Sequence, residues 1–190
     1  MNTPRALDPD QARSRLHELT VLDVRTPGEY ATGHLPGALN IPLDHLGRAL
    51  SDIRAAARRG ELLVVCASGA RSLSACRSLA AHGIATATLT GGTAAWTAGG
   101  HALHRPEGAR RPTWDMERQV RLSAGAVVLT GLALGRLRPS FRLASAGVAG
   151  GLVYSALTNT CGMAALLARL PHNRPHRGDL DTALSALRAA

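Results

Sequence analysis

The longest uncharged stretch of the chain is the feature that most limits how it can fold. Residues 143–168 are twenty-six consecutive positions without a charged side chain, and residues 122–135 are fourteen more. About 20 apolar residues span a bilayer, so the later stretch is long enough to cross a membrane and the earlier one is short. A domain of about 100 residues cannot bury two helices with so little polar face. We therefore predict a two-helix transmembrane hairpin.

Two pairs of glycines in these stretches have the spacing that lets membrane helices approach closely. Gly131 and Gly135 form the first pair, and Gly147 and Gly151 form the second. The same spacing is frequent by chance in stretches rich in glycine and alanine. A homodimer through the transmembrane helices is therefore a hypothesis.

The arginines around the predicted hairpin are unevenly distributed. Eight flank its ends: Arg105, Arg110, Arg111, Arg118, Arg121, Arg169, Arg174 and Arg177. Three lie in its turn: Arg136, Arg138 and Arg142. Cytoplasmic flanks of membrane helices are enriched in basic residues, so this distribution predicts that both ends face the cytoplasm.

The part of the chain before the hairpin alternates between strand and helix patterns. Apolar runs at residues 20–24, 62–65 and 85–89 predict strands, and residues 38–41 predict a short extended piece. Amphipathic stretches between them predict helices. This alternation indicates an α/β fold with a mainly parallel central sheet flanked by helices.

Four segments follow from these patterns. We predict an α/β domain over residues 1–104 and a linker rich in proline, glycine and charge over 105–117. The hairpin then covers residues 118–174, and a polar C-terminal tail covers 175–190.

The positive charge of the chain comes from arginine alone. It has 22 basic residues, none of them lysine, against 13 acidic ones, and a formal net charge of +9. Such an excess fits nucleic acid, anionic lipid or an acidic partner, and equally a codon usage that favours arginine. Aromatic residues make up only 3% of the chain, which leaves little surface for base stacking. We expect no nucleic-acid partner.

The three cysteines are Cys66, Cys76 and Cys161, without a CxxC pair or metal-ligand spacing. An odd number with this spacing argues against a disulfide framework and favours a reducing, cytosolic environment around Cys66. We expect no metal and no cofactor. The amino terminus has no apolar core of the signal-peptide type.

Cys66 ends a predicted strand and is followed by a short loop and a helix. The free amides and positive dipole end of a helix N-terminus can stabilise a thiolate and hold an anion above it. Such a thiolate is nucleophilic near neutral pH. The alternative is a buried structural cysteine, and this run alone leaves the two interpretations equally open.

The residues after Cys66 fit a substrate cradle. The predicted substrate-binding residues are Ala67, Ser68, Gly69, Ala70, Arg71 and Ser72. Gly69 lets the backbone turn where a side chain would obstruct it. Arg71 can close the cradle or contact the substrate as a forked donor, and Ser72 can cap the helix.

The order of four motifs resembles that of the rhodanese family. They are Leu22–Tyr30, Gly33–Pro42, the loop Cys66–Ser72, and Leu89–Gly92 followed by Trp96. The resemblance covers about residues 5–104. Residues 117–121, 160–164 and 170–173 are similar to the two-helix inner-membrane tail of YgaP-type rhodaneses.

The resemblance implies a sulfurtransferase tethered to the bacterial inner membrane, with its rhodanese domain in the cytoplasm. The catalytic Cys66 would take sulfur from thiosulfate or a persulfide and pass it to a thiol, cyanide or a protein acceptor. The six residues from Cys66 to Arg71 match the sulfurtransferase loop, whereas related phosphatases and arsenate reductases use one more. Ala67 and Ala70 stand where many relatives carry a charged or amide side chain, so thiosulfate as the preferred donor stays open.

Several residues near these motifs have a structural interpretation. We expect Asp23 and Arg25 to order loops around the site by ion pairing, with a direct catalytic role as the alternative. His34 is expected to form a structural hydrogen bond, because a thiolate held by amides needs no base. Trp96 and Cys76 are expected to pack in the core.

Cys161 lies toward the end of the second uncharged stretch. It could receive sulfur from Cys66 or line a conduit, or it could pack at a helix contact. Two other functions stay open for the chain. One is a non-catalytic sensor or membrane conduit for sulfur species that works through the tail and Cys161. The other is a small-oxyanion hydrolase on the same scaffold.

Overall fold

The computed structural model describes residues 4–105, 116–158, 166–167 and 177–189. The chain divides into two compact units. The first unit joins residues 1–112 to residues 175–190, and the second comprises residues 113–174.

The first unit is built on a five-stranded parallel sheet. Its strands are β1 (Arg5–Leu7), β2 (Leu19–Asp23), β3 (Leu39–Asn40), β4 (Glu61–Val65) and β5 (Ala87–Leu89). Their order across the sheet is β1-β5-β4-β2-β3, and every pair is parallel. The predicted α/β fold with a parallel central sheet is confirmed, and β4 is its middle strand.

Helices connect these strands. They are α1 (Pro9–Ser14), α2 (Pro27–Ala31), α3 (Leu46–Arg59), α4 (Ala70–Ala81) and α5 (Gly92–Ala98), with short 3-10 turns at 16–18 and 43–45. Asp8 caps α1 by accepting from the Gln11 amide at 2.7 Å, and Pro9 fits the first helical turn because its missing N–H needs no partner there.

Both faces of the sheet are buried, as expected for parallel strands that are covered by helices. Along β4, Leu62 and Val64 join one apolar cluster with residues of α3 and α4. Leu63 and Val65 join the other cluster, which contains Leu89 of β5 and residues of α1 and α5. This alternation holds β4 rigidly in the core, and Cys66 follows directly after it.

The second unit contains two helices packed against each other, α6 (Met116–Leu134) and α7 (Phe141–Thr158). Ser145 of α7 is buried and donates to the Val128 carbonyl of α6 at 3.0 Å. A Cβ placed on Gly131 would collide with the Ser145 hydroxyl and would lie 2.9 Å from the Phe141 carbonyl. The helices therefore meet closely at Gly131, whereas Gly147 and Gly151 have open space among the described atoms.

The described residues do not contain the pair of long apolar helices that the sequence predicts. Among the helices of the described ranges, none combines the length and the hydropathy needed to cross a membrane. Charged residues explain part of this difference, because Arg118 and Arg121 lie in the first turns of α6 and Arg142 is the second residue of α7. The described part of α7 ends at Thr158, and Cys161 lies outside the described residues.

The C-terminal segment 175–190, expected to be a polar tail, instead contributes a helix to the first unit. This helix, α8 (Arg177–Ala189), packs against α3 and β3. Its buried residues Leu180, Ala183, Leu184 and Leu187 join the core cluster of α3 and α4. Their i, i+3, i+4, i+7 spacing forms one apolar stripe, and this stripe overrides the polar average composition of the segment.

Candidate active site

Cys66 lies at the carboxyl end of β4, the middle strand of the sheet. This edge is where open parallel sheets bind their ligands. The side chain of Cys66 is only 1% exposed, and its thiol is enclosed by the loop that leads into α4. The location allows a reactive sulfur to be shielded from bulk water.

Two backbone amides point at the Cys66 sulfur. The Gly69 N–H lies 3.1 Å from Sγ, and the Ser72 N–H lies 3.3 Å from it. Gly69 adopts a left-handed backbone with φ of 97°, which favours glycine and turns the loop inward ahead of α4. These two donors at the start of α4 stabilise negative charge on sulfur.

One hydroxyl contacts the same sulfur, and a second hydroxyl contacts the first. The Cys66 thiol donates to Ser72 Oγ at 3.6 Å, and Ser72 Oγ donates to the Gly69 carbonyl at 3.0 Å. Thr88 Oγ1 in the middle of β5 is 2.7 Å from Ser72 Oγ. Thr88 was not predicted as a site residue, although its hydroxyl stands out between Ala87 and Leu89 in a buried strand.

The start of α5 holds the loop from its other side. The Thr93 amide donates to the Cys66 carbonyl at 2.8 Å, and the Ala94 amide donates to the Ala67 carbonyl at 3.0 Å. Gly92 has φ of 62°, and a Cβ there would collide with both carbonyls. The glycine pair of the closing motif therefore contributes directly to the geometry of the Cys66 loop.

Arg71 forms a two-bond ion pair with Glu29 of α2. Its Nη1 and Nη2 atoms lie 2.8 and 2.6 Å from the two carboxylate oxygens. Glu29 is 2% exposed and also accepts from the amide and hydroxyl of Thr26 in a capping box. Burial disfavours the charge of Arg71, but its bonds to Glu29 outweigh this, so the pKa of Arg71 is raised. Glu29 was not predicted as a site residue, although the Thr26-x-x-Glu29 spacing of a capping box marks it in the sequence.

The remaining cradle residues are neutral and lie at the surface of the loop. Ala67 is half-buried, and Ser68 and Ala70 are exposed. None of these three side chains is bulky or charged.

Asp23 and Arg25 form a buried ion pair next to the Cys66 strand. Arg25 Nη2 lies 2.6 Å from Asp23 Oδ2, and the same nitrogen donates to the Gly33 carbonyl at 2.8 Å. Asp23 pairs with Val65, the residue before Cys66, in the β2–β4 register. The pair thus ties the loop after β2 to the carboxyl edge of the sheet.

His34 is held against Tyr30 at the end of this loop. The two rings stack with centroids 3.7 Å apart, and His34 Nδ1 donates to the Tyr30 carbonyl at 3.1 Å in the matching tautomer. Burial lowers the pKa of His34, and burial raises the pKa of Tyr30 to about 12. Both side chains are therefore neutral near pH 7.

Cys76 and Trp96 lie in the two apolar clusters. Cys76 is 1% exposed, and burial raises the pKa of its thiol, which disfavours a nucleophilic thiolate. Trp96 is buried and donates to the Ala102 carbonyl at 3.0 Å. In the described ranges, no cluster of three His, Cys, Asp or Glu side chains could hold a metal ion.

Two family models match the two parts of the chain. Residues 8–99 match the rhodanese-like domain, and residues 115–175 match the transmembrane domain of the inner membrane protein YgaP and its relatives. The second match supports an inner-membrane location.

Individual relatives agree with these matches. An uncharacterized protein of Synechocystis is 35% identical over 81% of this chain and 84% of its own length. A sulfurtransferase of Allochromatium vinosum is 33% identical over 54% of this chain and 96% of its own length. The crystal structure of a rhodanese-related protein from Thermoplasma volcanium superposes with a TM-score of 0.50 at 27% identity, covering 54% of this chain and 99% of that one.

The parallel sheet, the Cys66 loop at its carboxyl edge and these relatives lead to one conclusion. This chain belongs to the rhodanese family, and it joins a rhodanese-like domain to a YgaP-like transmembrane domain.

Proposed function

We propose that the chain is a membrane-tethered sulfurtransferase that carries sulfane sulfur as a persulfide on Cys66. The Cys66 thiolate attacks the outer sulfur of the donor. The donor's S–S bond breaks, and its electron pair leaves with sulfite from thiosulfate or with a thiolate from a persulfide. An acceptor thiolate or cyanide then attacks the outer sulfur of the Cys66 persulfide, and the Cys66 thiolate is released.

One observation carries this proposal, namely the two amides aimed at Sγ of Cys66. The Gly69 and Ser72 N–H groups stabilise the thiolate before attack and again when it is the leaving group. A Cys66 thiolate that these amides stabilise needs no general base at the moment of attack. The relative from Allochromatium vinosum, named a sulfurtransferase, supports the same chemistry.

Arg71 is proposed to shape the cradle. Both of its terminal nitrogens bond Glu29, so the guanidinium fixes the first turn of α4 to α2. A loop whose single arginine is engaged by a buried carboxylate offers less attraction to a dianion such as thiosulfate. Persulfide donors are therefore the class we favour.

Turnover assays test the proposal. With the full chain in detergent, a persulfide or thiosulfate donor and cyanide as acceptor should yield thiocyanate. Cys66→Ser should abolish this reaction, whereas the matched Cys76→Ser change in the buried, non-nucleophilic thiol should retain most of it. Turnover that survives in Cys66→Ser would contradict the proposal. Release of phosphate from an aryl phosphate that depends on Cys66 would instead support the hydrolase alternative.

We further propose that the catalytic domain faces the cytoplasm. The excess of arginines at both ends of the YgaP-like segment supports this orientation. In spheroplasts, protease added from outside should leave the rhodanese-like domain intact until the membrane is permeabilised. Degradation before permeabilisation would place the domain on the other side.

A homodimer through the second unit is also proposed. Gly147 and Gly151 are exposed on α7, whereas Gly131 is used in contact with Ser145. Gly147 and Gly151 thus stay available for a second copy. Gly147→Leu should shift the detergent-solubilised chain toward monomer in light scattering, and an unchanged mass would contradict this interface.

A further inference from the structure

The hydrogen bonds around Ser72 connect Thr88 to the Cys66 sulfur through one intervening hydroxyl. Thr88 is 7% exposed in a strand whose neighbours are apolar, and a buried hydroxyl is costly unless it is hydrogen-bonded. Its partner is the fully buried Ser72, at the short distance of 2.7 Å. The two hydroxyls come from different elements, β5 and α4.

The direction of this bond follows from the partners of Ser72. A hydroxyl has one hydrogen to donate and can accept two. The Gly69 carbonyl can only accept, so it takes the Ser72 hydrogen at 3.0 Å when Cys66 is a thiol. The Ser72 oxygen then accepts from the Cys66 thiol and from Thr88. Thr88 is therefore the donor in this pair.

Ionisation of Cys66 changes what Ser72 must do. A thiolate has no hydrogen, so it can only accept, and the Ser72 hydroxyl can rotate its hydrogen from the Gly69 carbonyl to sulfur. That carbonyl is not left alone, because the Leu73 amide also donates to it at 3.0 Å. Thr88 continues to donate to the Ser72 oxygen, which polarises the Ser72 hydroxyl as a donor.

We propose that Thr88 is a positioning residue of the sulfur-transfer site that orients Ser72 as a third hydrogen-bond donor to the Cys66 thiolate. This inference rests on the proposed function for its biological meaning, but its contacts and its test involve only the thiolate. Thr88 acts through Ser72 and does not touch the sulfur donor.

Alkylation of the thiols with iodoacetamide near neutral pH tests this role without any sulfur donor. The full chain in detergent is treated, and peptide mass spectrometry follows Cys66 and Cys76 separately. Thr88→Val keeps the side-chain shape and removes the hydroxyl, so Cys66 should react about two- to tenfold more slowly, the effect of one lost hydrogen bond. Thr88→Ser keeps the hydroxyl, so Cys66 in this variant should react within about twofold of the wild-type rate.

Two further variants separate positioning from packing. Thr86→Val removes a hydroxyl just before β5 that the described contacts do not connect with Ser72, and it should leave Cys66 alkylation unchanged. In a Ser72→Ala background, Thr88→Val should cause no additional slowing, because the two residues act in series.

Several results would overturn the assignment. They are wild-type alkylation of Cys66 in Thr88→Val, failure of Thr88→Ser to restore the rate, or full additivity with Ser72→Ala. New reactivity of the buried Cys76 in Thr88→Val would show that Thr88 only fills the core, which also overturns it. If alkylation behaves as expected while thiocyanate formation is absent, the proposed sulfur transfer fails and the role of Thr88 toward the thiolate stands.

Discussion

At the scale of single residues, the site depends on backbone geometry that only glycine permits. Gly69 turns the loop so that its amide reaches the Cys66 sulfur, and Gly92 lets the start of α5 approach the Cys66 and Ala67 carbonyls. The thiol itself contributes a nucleophile, but its surroundings determine whether a negative sulfur is stable there.

Gly92→Ala should therefore abolish most activity. A Cβ at this position collides with the two loop carbonyls, so the loop must shift and its amides lose their aim at sulfur. We expect thiocyanate formation to fall by at least about 100-fold, the loss typical of one missing donor.

Gly100→Ala is the matched control for Gly92→Ala. Gly100 has a similar left-handed φ of 77°, but nothing lies within 4 Å of the Cβ position. Gly100→Ala should lose about 1–2 kcal/mol of stability from backbone strain alone. Gly92→Ala should lose more, because its Cβ also collides with the two loop carbonyls, and only Gly92→Ala should lose turnover. Equal turnover in the two variants would show that the approach of α5 to the loop is unimportant.

The buried ring of His34 makes stability depend on pH. Burial lowers the pKa of His34, so the unfolded chain binds this proton more readily than the folded chain. The stability that the neutral, buried His34 ring contributes is fully present above the unfolded pKa of about 6.5, and it is lost as the pH falls below that value.

His34→Asn tests this linkage in urea unfolding at several pH values between about 7 and about 5. Asparagine can keep the bond to the Tyr30 carbonyl but does not titrate, so the loss of stability on acidification should become smaller. His82→Asn makes the same change in an exposed ring whose Nδ1 also bonds the carbonyl four residues earlier. A pH slope in His34→Asn equal to that of the wild type would contradict the assignment.

At the scale of elements, the C-terminal helix α8 is part of the rhodanese-like unit. Leu187 is fully buried in the core cluster, and its carbonyl accepts from Arg59 of α3 at 2.6 Å. Arg188 adds an ion pair with Asp52 of α3 at 2.9 Å. The helix therefore covers α3 and is not a solvated tail.

Leu187→Ala should lower the free energy of unfolding by about 2–5 kcal/mol, because it leaves a cavity under α8. Urea unfolding of the full chain in detergent, followed by tryptophan fluorescence, measures this. Ala186→Ser lies on the exposed side of the same helix and should change stability by less than about 0.5 kcal/mol. A Leu187→Ala chain as stable as Ala186→Ser would mean that α8 does not dock.

Local sequence patterns were sufficient to predict the strands around Cys66. The apolar runs at 20–24, 62–65 and 85–89 correspond to β2, β4 and β5, because buried parallel strands are continuously apolar. The three residues of β1 are too few to display a period, and this strand was missed. The helix α8 was missed because its partner surface on α3 is distant in the sequence.

The same limit applies to the site. The loop after Cys66 could be predicted because a strand, a glycine and a helix start follow one another along the chain. The Glu29–Arg71 and Ser72–Thr88 contacts join residues 42 and 16 positions apart, and they exist only once the sheet has formed. Patterns within short stretches of sequence do not reveal such long-range pairs.

At the scale of the whole molecule, the chain leaves its rhodanese-like unit after residue 112 and returns to it at residue 175. The YgaP-like segment is thus an insertion between the sheet and its last helix. Both ends of the insertion join one folded unit, so a single cut cannot separate the YgaP-like segment from the rhodanese-like domain without loss of α8.

Transferable sulfur on Cys66 would be seen most directly as an increase in the mass of the intact chain. Protein purified without reductant and then treated with a persulfide donor should gain one sulfur atom, mapped to Cys66 and removed by dithiothreitol. The gain should be absent in Cys66→Ser and retained in Cys76→Ser. A wild-type chain that never acquires sulfur on Cys66, or a Cys66→Ser chain that loads as well as wild type, would contradict the account.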